Sequence, residues 1–178
     1  MGTANRAIYA IKGYYHMETI LRLFSEPGIF PLFILLFVIM TGTVFVFTGE
    51  RVKKIYSIVC MCVWGFGLLY VTWLSRTPVW ETRINLVPFQ KDDNSSMLDL
   101  IANSIMFVPF PMLLYGLLQK KIKFSVLSAA GIGLSIVIEL LQLITHRGIC
   151  DVDDLILNSI GAVIGAFLTI GLMQAEKK

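Results

Sequence analysis

The sequence predicts an all-α, polytopic membrane protein, a bundle of about five transmembrane helices, and three observations carry that prediction. Apolar residues make up 56% of the 178 and charged residues only 15%, with a mean hydropathy of +0.75. The apolar residues fall in unbroken blocks, not in the one-sided stripe of a surface helix. Five of these blocks approach the roughly 20 residues that a helix needs to cross the hydrocarbon layer. A backbone in lipid finds no partner except itself, so an open-ended chain crosses as helix.

The elements follow in order within a single domain, 1–178. Segment 1–28 carries Met17, Ile20, Leu21 and Phe24 at helical spacing beside Arg6, Lys12 and Arg22, the pattern of a helix lying along the interface. The spans then run over about 29–48, 55–75, 97–118, 124–145 and 155–173. The first is too long for a signal-peptide core and has no small-residue cleavage site after it, so it reads as an anchor. Gly161 and Gly165 form a small-xxx-small pair that permits close helix packing. Cys60 and Cys62 lie inside an apolar run and Cys150 in a loop, which excludes a disulfide framework and reads as two buried small apolar residues and one free thiol.

Lysine and arginine in the short loops set the orientation. Arg51, Lys53 and Lys54 in a turn before the second span, Lys120, Lys121 and Lys123 after the third, and Lys177 and Lys178 at the end all fall on one side, the expected cytoplasmic one. Parity then places the N-terminus outside, against the pull of its own basic residues. The net charge of +3 is small and dispersed, so nucleic acid is not an expected partner. The basic clusters adjoin apolar runs, where they meet anionic lipid.

Polar residues inside spans are the informative ones, because an ionisable group at mid-bilayer costs at least about 2.5–3.5 kcal/mol. Asn103, Glu139, Gln142 and Asn158 lie near the ends of three spans that all reach the outer surface. At 1.5 Å per residue they sit within about 10 Å of that interface. Ser135, Glu139, Gln142 and His146 share one stripe of the fourth span, and Asp151, Asp154 and Asn158 share one where the last loop enters the fifth. The outer loops add Arg76, Arg83, Asn85, Arg147 and Asp153, so the expected site is a partly buried cup of carboxylates, amides and guanidinium groups. Plainer roles stand beside this one. Asp151, Asp153 and Asp154 are placed to cap a helix, Asn103 and Asn158 to bond between helices, and Trp73, Trp80 and Tyr70 to form an aromatic belt, with His146 an ordinary interfacial histidine.

The segments Asn85-Leu-Val-Pro-Phe89, Asn103-Ser-Ile-Met-Phe-Val-Pro109, Ile138-Glu-Leu-Leu-Gln142 and Arg147 through Asp151-Val-Asp-Asp-Leu-Ile-Leu-Asn158 together resemble the VanZ-like family. Their order and spacing match from about Arg76 to Gly165. One departure is Pro111, where the family usually shows glycine, and it bears on the kink of the third span. The resemblance implies a multi-pass protein of the bacterial cytoplasmic membrane. It also implies an association with resistance to teicoplanin, a lipoglycopeptide that acts at the outer side of that membrane.

Three function classes compete. In the first, the protein binds or modifies an envelope component, such as a lipid-linked precursor or anionic polymer. Arg76, Arg83 and Arg147 would hold phosphate or carboxylate, and Asn85, Asn103, Gln142 and Asn158 would orient it. The second is a membrane enzyme in which Glu139 and Asp154 act as acid and base. Alternatively Glu139 with Asp151, Asp153 and Asp154 would hold a divalent cation, Mg²⁺ or Ca²⁺. No nucleophile motif, His/Cys cluster or phosphate-cradling glycine loop supports that class. A transporter ranks last, because it calls for polar groups near the midplane and usually a repeat, and the sequence has neither. Residue types alone leave the ligand and the oligomeric state open.

Overall fold

The computed structural model describes residues 29–46, 49–74, 76, 84–89, 97–119 and 122–176. The interfacial segment 1–28, Trp80 and Arg83 lie outside the described residues. The helices are α1 (Ile29–Gly42, continued by a 3₁₀ turn, Thr43–Phe45), α2 (Glu50–Leu69, continued by a π-helical turn, Tyr70–Leu74) and α3 (Met97–Met106). After them come α4 (Pro109–Leu118), α5 (Phe124–Thr145) and α6 (Val152–Ala175). Two dipeptides, β1 (Ile84–Asn85) and β2 (Cys150–Asp151), pair in parallel. Four helical stretches are long and apolar enough to span a membrane: Glu50–Leu74, Leu100–Leu118, Phe124–Thr145 and Val152–Ala175. The first span is shorter than the sequence suggests, because its apolar helix closes at Phe45.

Burial is arranged for lipid. Ile58, Val63 and Phe66 on α2, Val137, Leu140 and Ile144 on α5, and Ile164 and Phe167 on α6 point outward, while Ser57, Ser135, Glu139, Gln142, Asn158 and Thr169 are buried. In water such a surface would aggregate; in a bilayer it is the solvated face. The chain is a multi-pass membrane protein.

The span read as one helix over 97–118 is broken at Phe107-Val108. Pro109 and Pro111 have no N–H to give to the carbonyls four residues back, so the ladder tightens. The amide of Val108 takes the carbonyl of Ile105 at 3.1 Å and that of Phe110 takes Phe107 at 3.3 Å. The carbonyl of Met106 accepts instead from the indole Nε1 of Trp64 at 2.8 Å, across the bundle. Trp64 also packs edge-on against Phe107 and stacks on Phe110. The broken region therefore becomes the centre of the core, with Phe107 and Leu113 fully enclosed. On its other side lies α6. A Cβ placed on Gly161 would stand 1.7 Å from the carbonyl oxygen of Ser104, and one on Gly165 2.3 Å from that of Val108. The small-xxx-small pair thus seats the kinked span.

The helix α2 begins at Glu50, so Arg51, Lys53 and Lys54 lie in its first turns and not in the expected turn before it. Lys53 forms an ion pair with Glu176 at the end of α6, and the Tyr115 hydroxyl donates to the same carboxylate at 2.8 Å. The Lys53 ammonium also sits over the stacked rings of Phe45 and Tyr115, 5.9 and 5.6 Å from their centres. This basic end is clamped by a cation shared between a carboxylate and two ring faces. The opposite end gathers the acidic residues.

Candidate functional site

Four elements converge at the acidic end. The helix α6 starts at Val152, three residues before the expected 155, because the Asp151 carboxylate caps it by accepting the Asp153 amide at 2.9 Å. This places Asp153 and Asp154 in the first turn, where the helix dipole favours negative charge. Asp154 points inward. Its Oδ1 accepts from Asn103 Nδ2 at 2.7 Å, and its Oδ2 lies 3.6 Å from the Arg76 guanidinium. One carboxylate thereby joins the chain after α2, the helix α3 and the first turn of α6.

Glu139, nearly two turns before the end of α5 and only 5% exposed, accepts the backbone amide of Asp151 at 3.0 Å. Its carboxylate lies within Coulombic reach of Asp154, Arg76 and Asp151. Asn85 reaches Asp151 through its amide nitrogen at 3.2–3.3 Å and turns its own chain by accepting from Val87. The Phe89 amide then bonds Asp153 at 2.9 Å. The Asn85–Phe89 segment therefore wraps the acidic start of α6, and the parallel pair Ile84↔Cys150 and Asn85↔Asp151 fixes its register.

Gln142 and Arg147 go elsewhere. Gln142 is fully buried and donates to the carbonyl of Thr72 at 2.8 Å, in the π-helical turn that ends α2. Its Oε1 has no partner, and neither has Oδ1 of the buried Asn158. The Arg147 guanidinium lies over the ring of Trp73, 4.8 Å from its centre, and the indole N–H of Trp73 is held by Thr145 at 2.8 Å. His146 leaves the stripe predicted for it. It ends α5 in the left-handed conformation (φ 53°) with its side chain exposed.

Of the expected site residues, the structure brings together Arg76, Asn85, Asn103, Glu139, Asp151, Asp153 and Asp154. Gln142 and Asn158 are buried polar neighbours on the same helices, and Arg147 stands to one side on Trp73. Among the described residues no three His, Cys, Asp or Glu side chains are arranged to hold a metal ion. Asp153, counted with a divalent-cation set, is occupied by the Phe89 amide.

Sequence reasoning missed Gly148 and Cys150. At φ 106° only glycine is comfortable, and a Cβ there would stand 2.8 Å from a guanidinium nitrogen of Arg76. A glycine directly after Arg147 in an acidic loop was the available signal. Cys150 lies outside the spans. Burial pushes its thiol above the ordinary value, and repulsion from the neighbouring Glu139 carboxylate adds to the shift. Less thiolate at a given pH means slower alkylation, so Cys150 should react more slowly than a free thiol at pH 8. Its rate should gain about tenfold per pH unit until the thiol titrates, and Glu139→Gln should speed it. Alkylation at the free-thiol rate would show that this packing is wrong.

A family model described as VanZ/LLP1 matches residues 54–174. No curated protein and no solved structure gave a match. The matched region holds every described member of the acidic cluster and extends beyond the stretch whose motifs carry the likeness. On that match across most of its length, the chain belongs to the VanZ/LLP1 family.

Proposed function

We propose that this chain acts in the bacterial cell envelope. Its acidic end faces the outside of the cytoplasmic membrane and binds, or presents for modification, the polar part of an envelope lipid or precursor, and this lowers susceptibility to teicoplanin-type glycopeptides. The observation that carries this reading is the setting of Arg147. Its guanidinium lies over the ring of Trp73 and forms no ion pair among the described residues, so its N–H groups remain for a phosphate or carboxylate. In the acidic cluster to one side of it, Asn85, Asn103 and Glu139 are already oriented by their own bonds, as a pre-organised site requires. Arg76 is engaged with Asp154 and contributes structure more than capture.

The test is native mass spectrometry of the purified protein with anionic envelope lipids, together with teicoplanin susceptibility of cells expressing equal amounts of each variant. Arg147→Ala should lose a charge-assisted contact of about 1.5–3 kcal/mol, a roughly 10- to 150-fold weaker affinity, and the protective effect with it. Full affinity and full protection in that variant would remove the reading. A membrane-impermeant maleimide applied to intact cells checks the face: outward placement requires that it reach Cys150.

The second reading, an enzyme, has one observation in its favour. Glu139 and Asp154 are two interacting carboxylates in unlike surroundings, one buried against a backbone amide and the other paired with Arg76. Such pairs can divide acid and base roles. Turnover of an envelope lipid by wild type, lost in Glu139→Gln with lipid affinity intact, would select it over binding alone.

A further inference from the structure

The loop that wraps the acidic start of α6 carries apolar side chains for which the polar cluster has no use. Leu86, Val87 and Phe89 are 72%, 56% and 59% exposed, and Ile84 beside them 53%. Pro88 between them is exposed as well. A single exposed leucine needs no explanation, but a contiguous run of large apolar side chains marks a surface that meets something other than water.

The backbone of this loop is prepared for a drier setting. The Val87 amide is held by the Asn85 side chain at 3.2 Å, Pro88 has no amide hydrogen, and the Phe89 amide is held by Asp153 at 2.9 Å. Ile84 and Asn85 pair with Cys150 and Asp151 in a parallel ladder. The tip Val87-Pro88-Phe89 therefore brings no unbonded N–H to its surroundings, as backbone must where water is scarce.

The points of attachment decide which way the loop faces. Asp154 turns inward to Arg76 and Asn103, but its neighbour Asp153 lies on the other side of the helix. Asp153 shares a stripe of α6 with Ile156, Ile160, Ile164 and Phe167, spaced i+3, i+7, i+11 and i+14. Ile160, Ile164 and Phe167 are exposed and belong to the surface that α6 turns to lipid. The loop thus leaves the polar cluster at Asn85, on Asp151, and reaches the lipid-facing side of α6 at Phe89, on Asp153. Its apolar side chains continue the apolar face of the span at the level where that span begins. Irregular backbone does not enter the hydrocarbon centre, so the boundary between headgroups and acyl chains is the depth that suits it.

We propose that Ile84–Phe89 is an interfacial anchor whose side chains, Leu86, Val87 and Phe89 foremost, enter the headgroup–acyl boundary of the leaflet from which α6 starts. Its partner is the lipid surface itself. The bonds to Asp151 and Asp153 carry the position of the loop to the acidic start of α6, so the leaflet holds those carboxylates at a fixed depth. The assignment uses neither Arg147 nor the side of the membrane on which the loop lies, and it stands apart from the headgroup-binding reading.

The experiment uses the full chain with Cys60→Ala, Cys62→Ala and Cys150→Ser, and a single new thiol from Leu86→Cys or Val87→Cys. Each thiol carries a nitrobenzoxadiazole fluorophore, and the protein is reconstituted in vesicles of phosphatidylethanolamine and phosphatidylglycerol. Lipid nitroxides near the headgroup should quench both labels more than nitroxides near the chain end, placing them about 5–10 Å into the boundary. Aqueous iodide should quench them weakly, and a label from Ile160→Cys should report a greater depth. Strong iodide quenching with none from lipid nitroxides would put the loop in water and overturn the proposal. Shielding from both quenchers would put protein on the patch and overturn it equally. Hydroxyl-radical footprinting of wild type in the same vesicles needs no substitution. Leu86 and Phe89 should oxidise severalfold more slowly than in the denatured chain, and rates close to the denatured ones would also overturn the anchor.

Discussion

Leucine at Gly161 should abolish the folded bundle. Even the first atom of a side chain there would fall 1.7 Å from the Ser104 carbonyl oxygen and 3.2 Å from the Phe107 Cβ. The obstacle is backbone, so no rotamer relieves it, and α6 must retreat from the kinked span. That retreat opens the core around Phe107, which is fully enclosed. Tight helix contact supplies most of the association in lipid, where apolar burial supplies little. The loss should exceed the roughly 1–3 kcal/mol typical of overpacking a core and reach the exceptional range above about 4 kcal/mol, because the obstacle is backbone. In fluorescence-detected size-exclusion chromatography the variant should leave the monodisperse peak, and Gly165→Leu should follow it for the same reason at Val108. Gly171→Ala, which meets nothing within 4 Å, should keep the wild-type elution and melting temperature. A wild-type profile for Gly161→Leu would mean that α6 does not seat against the kink.

Removal of Arg76 should give the second largest effect. Its guanidinium is the cation facing Asp154, and side-chain exposures of 33% and 21% put the pair between a surface contact and a buried one. Breaking a fully buried pair by removing one partner costs about 3–5 kcal/mol, and partial solvent screening brings the expectation for Arg76→Ala to about 1–3 kcal/mol. Asn103 remains as a donor to Asp154, so the loss should be partial. The diagnostic result is rescue: Arg76→Ala combined with Asp154→Asn should recover much of the thermal midpoint, because the stranded charge is gone. Additive losses in that double variant would show that the two side chains do not interact.

The fourth span, 124–145, was legible to the residue. It has no internal proline, Lys123 precedes it, and its polar positions from Ser128 to Gln142 keep to the inward face. The inward stripe of Ser135, Glu139 and Gln142 followed from helical periodicity, and all three are buried. Counting residues along spans likewise put Asn103 in α3 and Asn158 in α6. Other features were hidden because they depend on partners distant in sequence. Pro109 and Pro111 announce a disturbed helix, but only the indole of Trp64 shows where the freed Met106 carbonyl goes. The early start of α6 required the choice between Asp151 as a ligand and Asp151 as a cap, and the Asp153 amide shows the cap. Three arginines looked alike as anion binders. Of the two described, Arg76 took a carboxylate and Arg147 a ring.

Composition and spacing alone determined that this chain crosses a membrane as helices and that its buried carboxylate and amide side chains lie toward one end of them. Both follow from the absence of water in hydrocarbon: backbone must close on itself, and ionisable groups must keep near the interface. Only the tertiary structure decided which polar group holds which. A carboxylate takes whichever donor the packing of distant helices brings within about 3 Å, and no local pattern encodes that distance. It placed Asp154 between Arg76 and Asn103 and left the Ser135 hydroxyl and the Asn158 amide oxygen without partners in the interior.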